Sequence, residues 1–181
     1  KQDHRYHHNM ITVWFDGEIY NRKQIADSLG CRVLSDAGLI GELVARDILH
    51  TTVQEIDGVF AAAVYDAAHF RIFLITDRYG LKPLYIYRAR HSLAWASEYK
   101  AFTALPAFQI NFNTDAVSDF FRFGFLQGNR TWFRGVSMLE PASLLTFDTL
   151  NGTTGVVNYW NPALLPSLPS TTDQDEIVEE L

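Results

Sequence analysis

Cysteine is almost absent: one residue, Cys31, in a chain of 181. An internal disulfide is therefore excluded, which fits a reducing compartment and an expected cytoplasmic location. Long hydrophobic runs are also missing. No apolar stretch approaches the 18 residues of a membrane span, and no secretory leader pattern opens the chain. There is no basic run, and 15 Lys and Arg against 21 Asp and Glu give a formal net charge of -6. Nucleic acid and anionic membrane are thus poor partners. Internal repeats and low-complexity tracts are lacking as well. What the chain does have is apolar material, 48% hydrophobic and 14% aromatic residues. That is ample for a folded core, and the length suits one domain.

The stretch from Thr12 to Asn21 organises the rest. Val13 and Phe15 alternate with Trp14, as on a strand over 10–15. Asp16-Gly17 is expected to end that strand, because glycine admits backbone angles and close approaches that a side chain blocks. Asp16 and Glu18 then flank Gly17 and form a polar mouth at the edge of an apolar sheet, able to hold a small zwitterion. A tight turn with two solvated acids is the plainer alternative. Ahead of this, His4, His7 and His8 are close enough to consider a metal, but the expectation is a frayed polar terminus over Lys1–Asn9.

Asn21 is placed as an N-cap, with Gln24 three residues later as in a capping box. Ile25 and Leu29 share the helix face and Gly30 ends it. A short strand is expected over 31–34, with Cys31 a small core residue. A second helix over about 37–49 carries the stripe Ile40, Leu43, Val44 and Ile48. Asp36 is either its N-cap or a carboxylate held at the helix start to meet a ligand ammonium. Thr52 and Glu55 point to a short capped turn.

Val59 to Tyr65 is uninterrupted apolar sequence with three alanines at 61–63, a strand that must be covered on both faces. Strands over 70–75, 84–87 and 93–96, and a late pair over 144–147 and 155–159 around Asn151-Gly152, read as hairpins. Consecutive hairpins predict stacked sheets between helices rather than a βαβ winding. In the loop 76–83, Asp77 either pairs with Arg78 or anchors the loop to backbone. Ser97 is placed to cap a short helix carrying Glu98 and Lys100. Asn113 opens a helix with Val117, Phe120 and Phe121 on one stripe, stopped by Gly124. Phe123, Phe125, Trp132 and Phe133 crowd it, as core or as an interface. Residues 161–172 have linker composition, and 173–181 is acidic and helix-prone.

Taken in order, the motifs resemble one known family. They are Asp-Gly-Glu-Ile-Tyr-Asn (16–21), Ser-Asp (35–36), Asp-Gly-Val-Phe-Ala (57–61), Tyr-Asp (65–66) and Asp-Arg-Tyr-Gly-Leu-Lys-Pro-Leu-Tyr (77–85). Ala-Ser-Glu-Tyr-Lys-Ala (96–101), Arg-Thr-Trp-Phe-Arg-Gly-Val (130–136), Leu-Glu-Pro-Ala (139–142) and Tyr-Trp (159–160) follow. The set is similar to the glutamine amidotransferase domain of glutamine-hydrolysing asparagine synthetases. Relatives that close β-lactam rings or peptide macrocycles share this layout. The resemblance implies an α+β, N-terminal-nucleophile-type four-layer αββα sandwich with mainly antiparallel sheets. It divides the chain into an amidotransferase-like domain, 1–160, and a linker with the start of a synthetase-like domain, 161–181.

In that family an N-terminal Cys thiolate attacks the glutamine side-chain amide, its own α-amino group serving as base, and forms a thioester with release of ammonia. An Asn side chain and the next Gly N–H stabilise the oxyanion. By this resemblance Asp16 and Gly17 stand at the oxyanion-hole positions, and Gly17, Glu18 and Asp36 at the substrate-binding ones. Asp16 replaces the Asn. An ionised carboxylate has no donor for an oxyanion, and one lost donor is worth roughly 100- to 1000-fold in rate. Lys1 is not the nucleophile and Cys31 is internal, so the chain is expected to be a fragment without its first strands and inactive alone. ATP and Mg2+ are implied only for a synthetase domain outside this chain. Expected partners are glutamine, that synthetase domain and a second copy pairing at a bare sheet edge. The competing readings are a catalytically dead pseudo-amidotransferase scaffold and a relative using an internal amine.

Overall fold

The computed structural model describes residues 5–8, 10–89 and 92–164. His4 and the acidic stretch 173–181 lie outside the described residues, as does most of the linker.

β2 (Ile11–Ile19) and β3 (Gly58–Asp66) form the centre of a six-stranded sheet. The apolar run 59–65 is β-branched, aromatic or small throughout, paired with β2 along its length and with β4 from residue 61 on. β1 (Arg5–His8), β4 (Arg71–Thr76), β8 (Ser143–Asp148) and β9 (Thr154–Asn158) complete the order β1-β2-β3-β4-β8-β9, antiparallel throughout. A second sheet, β6-β5-β7, holds β5 (Tyr85–Ala89), β6 (Ser92–Ala96) and β7 (Val136–Met138).

The two-sided burial expected of β3 is met residue by residue. Phe60, Ala62 and Val64 enter one apolar cluster with Val13, Phe15, Leu39, Ile40 and Leu43. Ala61 and Ala63 enter another with Leu74, Leu145 and the second sheet's Ile86, Leu93 and Trp95. The first cluster packs under α1 (Arg22–Ser28) and α2 (Asp36–Ala45), and the second lies between the sheets. Beyond the second sheet, Tyr85 and Tyr87 meet Tyr99, Phe102 and Phe108 around a 3-10 turn, Tyr99–Ala104.

Several local expectations need correction. β2 does not stop at Asp16-Gly17; it runs to Ile19, with Gly17 paired to Phe60 at φ 123. The glycine marks a close approach within the strand: a Cβ there would lie 2.0 Å from the Val59 carbonyl oxygen. Arg5–His8 is an edge strand, not a frayed terminus, and His7 Nδ1 sits 2.8 Å from Thr12 Oγ1. Asn21 precedes α1 but does not cap it; its side chain bridges Glu55 O and Asp57 N, tying α1 to the start of β3. The backbone after α1 closes as a Schellman turn, Cys31 N to Ala26 O and Gly30 N to Asp27 O, so 31–34 is irregular rather than a strand. Cys31 is half-buried there.

Ser35, not Asp36, caps the second helix by accepting from Gly38 N at 3.0 Å. That helix ends at Ala45, and a separate turn, α3 (Leu49–Thr52), follows without help from a side-chain cap. Ser97 caps nothing, the 3-10 turn starting after Glu98 without a side-chain bond. α4 (Thr114–Phe123) has the expected ends, Asn113 accepting from Asp115 N and Ala116 N and Gly124 left-handed. Only Ala116 of α4 is buried, and Phe120, Phe121, Phe123 and Phe125 are exposed.

Glycine position separates two kinds of constraint. Gly17→Ala is expected to destabilise by at least about 3 kcal/mol, since both φ and the Val59 carbonyl oppose a methyl. Gly30→Ala, at φ 61 in open space, is expected to lose only about 1 kcal/mol. Urea denaturation of the two variants checks the contrast.

Candidate functional site

Along β2 the side chains of Trp14, Asp16 and Glu18 project from one face, exposed, and those of Val13, Phe15 and Ile19 from the other, buried. The register sets Asp16 opposite Ala61 and Trp14 opposite Ala63. Two methyl-sized neighbours leave room above the sheet. The result is a hollow of about 490 Å³ between the sheets, walled by Trp14, Asp16, Ala61, Ala63, Trp95 and Ser97. Trp14 and Trp95 meet edge to face across it, 5.9 Å between centroids. Its size lies within the range of small-ligand sites.

Asp36 approaches the same strand end from the helix side. Its carboxylate is buried, accepts from Ile19 N at 3.3 Å, and receives Arg22 Nη1 at 2.6 Å. The structure thus brings Asp36 to the backbone just beyond Gly17 and Glu18. It does so on the opposite face of β2 from the Asp16 side chain. The cation at Asp36 is supplied by the chain itself, so a ligand ammonium there must share the carboxylate with Arg22. Glu18 is exposed beside them.

Across β3, the loop after β4 supplies a second cation. Lys82 Nζ lies 3.3 Å from Asp16 Oδ1. The loop is fixed by Asp77, which is fully buried. Asp77 Oδ1 accepts from Tyr79 N and Leu81 N, and Oδ2 from Phe60 N and Lys82 N, at 2.9 to 3.2 Å. Of the two expectations for Asp77, anchoring to backbone is the one realised. Arg78 turns away, donating to Gln54 O at 2.9 Å with its guanidinium over Trp160. Tyr159 closes the same corner, donating to Thr76 O at 2.5 Å. Burial, with the Asp77 carboxylate nearby, pushes its phenol well above the usual tyrosine value.

Asp16 is not buried, its side chain being 52% exposed. Arg22 and Lys82 are the residues that sequence reasoning passed over. Arg22 had a signal, a cation one residue beyond Asn21. Lys82 had none, because only the strand register carries residue 82 back across β3 to residue 16. Cys31 Sγ lies 3.6 Å from Ala26 O, beyond the end of α1, whereas Arg22 at its start bonds Asp36. Among the described residues no group of His, Cys, Asp and Glu could hold a metal ion. No helix among them is long and apolar enough to cross a membrane. A larger hollow, about 680 Å³, lies at Tyr79, Glu140 and Trp160 and includes none of the β2 residues.

Two stacked antiparallel sheets, with Asp16 lining the hollow between them, are a fold this chain shares with a solved amidotransferase. The glutamine phosphoribosylpyrophosphate amidotransferase of B. subtilis, solved with ADP and GMP, superposes with a TM-score of 0.56 at 17% identity, over 86% of this chain and 30% of that one. Residues 1–160 match the family profile described as glutamine amidotransferase domain, and the chain belongs to that family. Among curated relatives, asparagine synthetase (glutamine-hydrolyzing) 2 of Bacillus subtilis strain 168 is 30% identical over 159 residues, 83% of this chain and 21% of the relative. Asparagine synthetase (glutamine-hydrolyzing) 3 of the same strain is 28% identical over 171 residues, 86% of this chain and 26% of the relative. The chain spans about a quarter or less of the length of these relatives.

Two outcomes test the corner at Asp77. Asp77→Ala leaves four backbone N–H groups without their acceptor and is expected to destabilise by about 3–5 kcal/mol in chemical denaturation. Tyr159 has a raised folded-state pKa, so the stability linked to it is fully present below the phenol's ordinary value of 10.0 and is lost as pH rises through the higher one. Wild-type stability should therefore fall above pH 10 with a slope that Tyr159→Phe makes shallower.

Proposed function

We propose that this chain is the glutaminase-type amidotransferase portion of an asparagine-synthetase-like enzyme, the part that takes ammonia from glutamine for ATP-dependent amidation of aspartate. One observation carries the reading. Asp36 is tied through Ile19 N–H to the strand end that presents Gly17 and Glu18, so the residues matched to the glutamine site belong to one local structure. The names of the B. subtilis relatives support the same assignment. In this reading Glu18 meets the α-amino group of glutamine and Gly17 N–H and the Asp16 position face the carbonyl whose oxygen becomes an oxyanion, while Asp36, on the other face of β2, holds that strand end through Ile19 N–H. ATP and Mg2+ enter only through a synthetase domain outside residues 1–181.

The hydrolytic step needs a thiolate. The single cysteine stands beyond the end of α1, with its Sγ against Ala26 O. The 181-residue chain is therefore expected to bind glutamine without hydrolysing it. A second reading, a scaffold derived from an amidotransferase, is favoured by the Lys82–Asp16 ion pair, which occupies the side chain that would have to act on the oxyanion. Titration calorimetry separates the two. Saturable L-glutamine binding, weakened about tenfold or more by Glu18→Ala, with no ammonia released, is the expected result. No saturable heat with L-glutamine favours the scaffold.

A further inference from the structure

We propose that Lys82 is the residue that reads the far end of the ligand's side chain, and that it turns the site toward an anionic oxygen, so that L-glutamate binds at least as tightly as L-glutamine. The inference rests on the glutamine-site reading above and names the specificity of that same site.

An ammonium carries three N–H donors. One points along the 3.3 Å contact to Asp16 Oδ1, and the ammonium has two more to offer. Asp16 lines the hollow between the sheets, and the Lys82 ammonium lies within 3.3 Å of its carboxylate. The position of Lys82 is not left to a long flexible loop. Its backbone N–H donates to Asp77 Oδ2 at 3.2 Å, the oxygen that also takes Phe60 N–H from β3. Phe60 is in turn the cross-strand partner of Gly17. The chain therefore fixes the Lys82 main chain relative to Gly17 through the shared Asp77 carboxylate oxygen and the Phe60–Gly17 pairing.

Charge decides what such an edge accepts. Asp16 alone would repel a developing or permanent negative charge on a ligand oxygen. Asp16 with Lys82 is a neutral pair that presents N–H donors, and charge-assisted donors favour a carboxylate oxygen over an amide oxygen. Position 16 then acts as the acceptor that steers the ammonium, while Lys82 makes the contact with the ligand.

The test is calorimetric titration of the 181-residue chain with L-glutamine and with L-glutamate, in wild type, Lys82→Met, Lys82→Arg and Asp16→Asn. Wild type is expected to bind L-glutamate at least as well as L-glutamine. Lys82→Met should weaken L-glutamate about tenfold and L-glutamine less than about threefold, an ammonium–carboxylate ion pair being lost in one case and an ammonium–amide hydrogen bond in the other. Lys82→Arg should keep the preference, and Asp16→Asn should strengthen L-glutamate by removing the compensating charge. An equal loss for both ligands in Lys82→Met marks a merely structural lysine and overturns the proposal. So does a wild-type preference for L-glutamine that Lys82→Met leaves unchanged; either result leaves the glutamine-site reading standing. Binding of neither ligand by wild type overturns that reading and this proposal with it.

Discussion

A buried carboxylate, Asp77, holds β3, the loop after β4 and the approach to β8 in one arrangement. Asp77 sits where β4 ends, with no solvent to hydrate it, and an ionisable group in that position persists only when its oxygens are satisfied. Four backbone N–H groups do this. One comes from β3 and three from the loop that follows, so the loop cannot leave β3 without stranding the charge. The main chain of Asp77 adds to the clamp. Its N–H donates to Phe60 O at 2.9 Å, and its carbonyl accepts from Ala142 N at 2.8 Å. Residue 142 leads into β8, so the same residue also fixes where the larger sheet continues.

The site inherits its geometry from that clamp. β3 is small at 61 and 63 and therefore leaves space, while its backbone at 59 and 60 presses on Gly17 so closely that no side chain fits there. The hollow and the glycine are two consequences of one register. The acids divide between the faces of β2: Asp16 and Glu18 on the side of the hollow, Asp36 on the side of the helices, joined at the Ile19 amide. Each of the two best-placed acids has a cation from within the chain, Arg22 for Asp36 and Lys82 for Asp16. Electrostatics at this edge is therefore a matter of pairs, and a ligand meets them as pairs.

Much of the architecture was legible in the sequence because burial leaves a plain pattern. An apolar run with three consecutive alanines announced a strand covered on both faces, and both apolar clusters contain residues of it. Hairpin spacing located most strands, and the ends of α4 followed from Asn113 and Gly124. Three of the errors share a cause: local chemistry meets a long-range partner. Asn21 has the side chain of an N-cap, but residues 55 and 57 compete for it and win. Gly17 has the look of a strand breaker, but its pairing with Phe60 keeps the strand going. Arg5 to His8 has no apolar alternation, yet an edge strand needs only its backbone to pair with β2. Of the site, the carboxylates and the glycine were readable as a motif. The Lys82–Asp16 pairing was not, because the distance between 16 and 82 is set by how three strands lie side by side.

The account stands on Asp77 acting as a fixed acceptor inside the fold, and amide hydrogen exchange tests that most directly. Tyr79 and Leu81 have side chains exposed to solvent, 64% and 61%. Their amides, if they bond the buried carboxylate, should nonetheless be protected to within about tenfold of the Phe60 and Val64 amides in β3. Exchange of the Tyr79 and Leu81 amides near the unprotected rate, with β3 still protected, would contradict the clamp and the placement of Lys82 that depends on it.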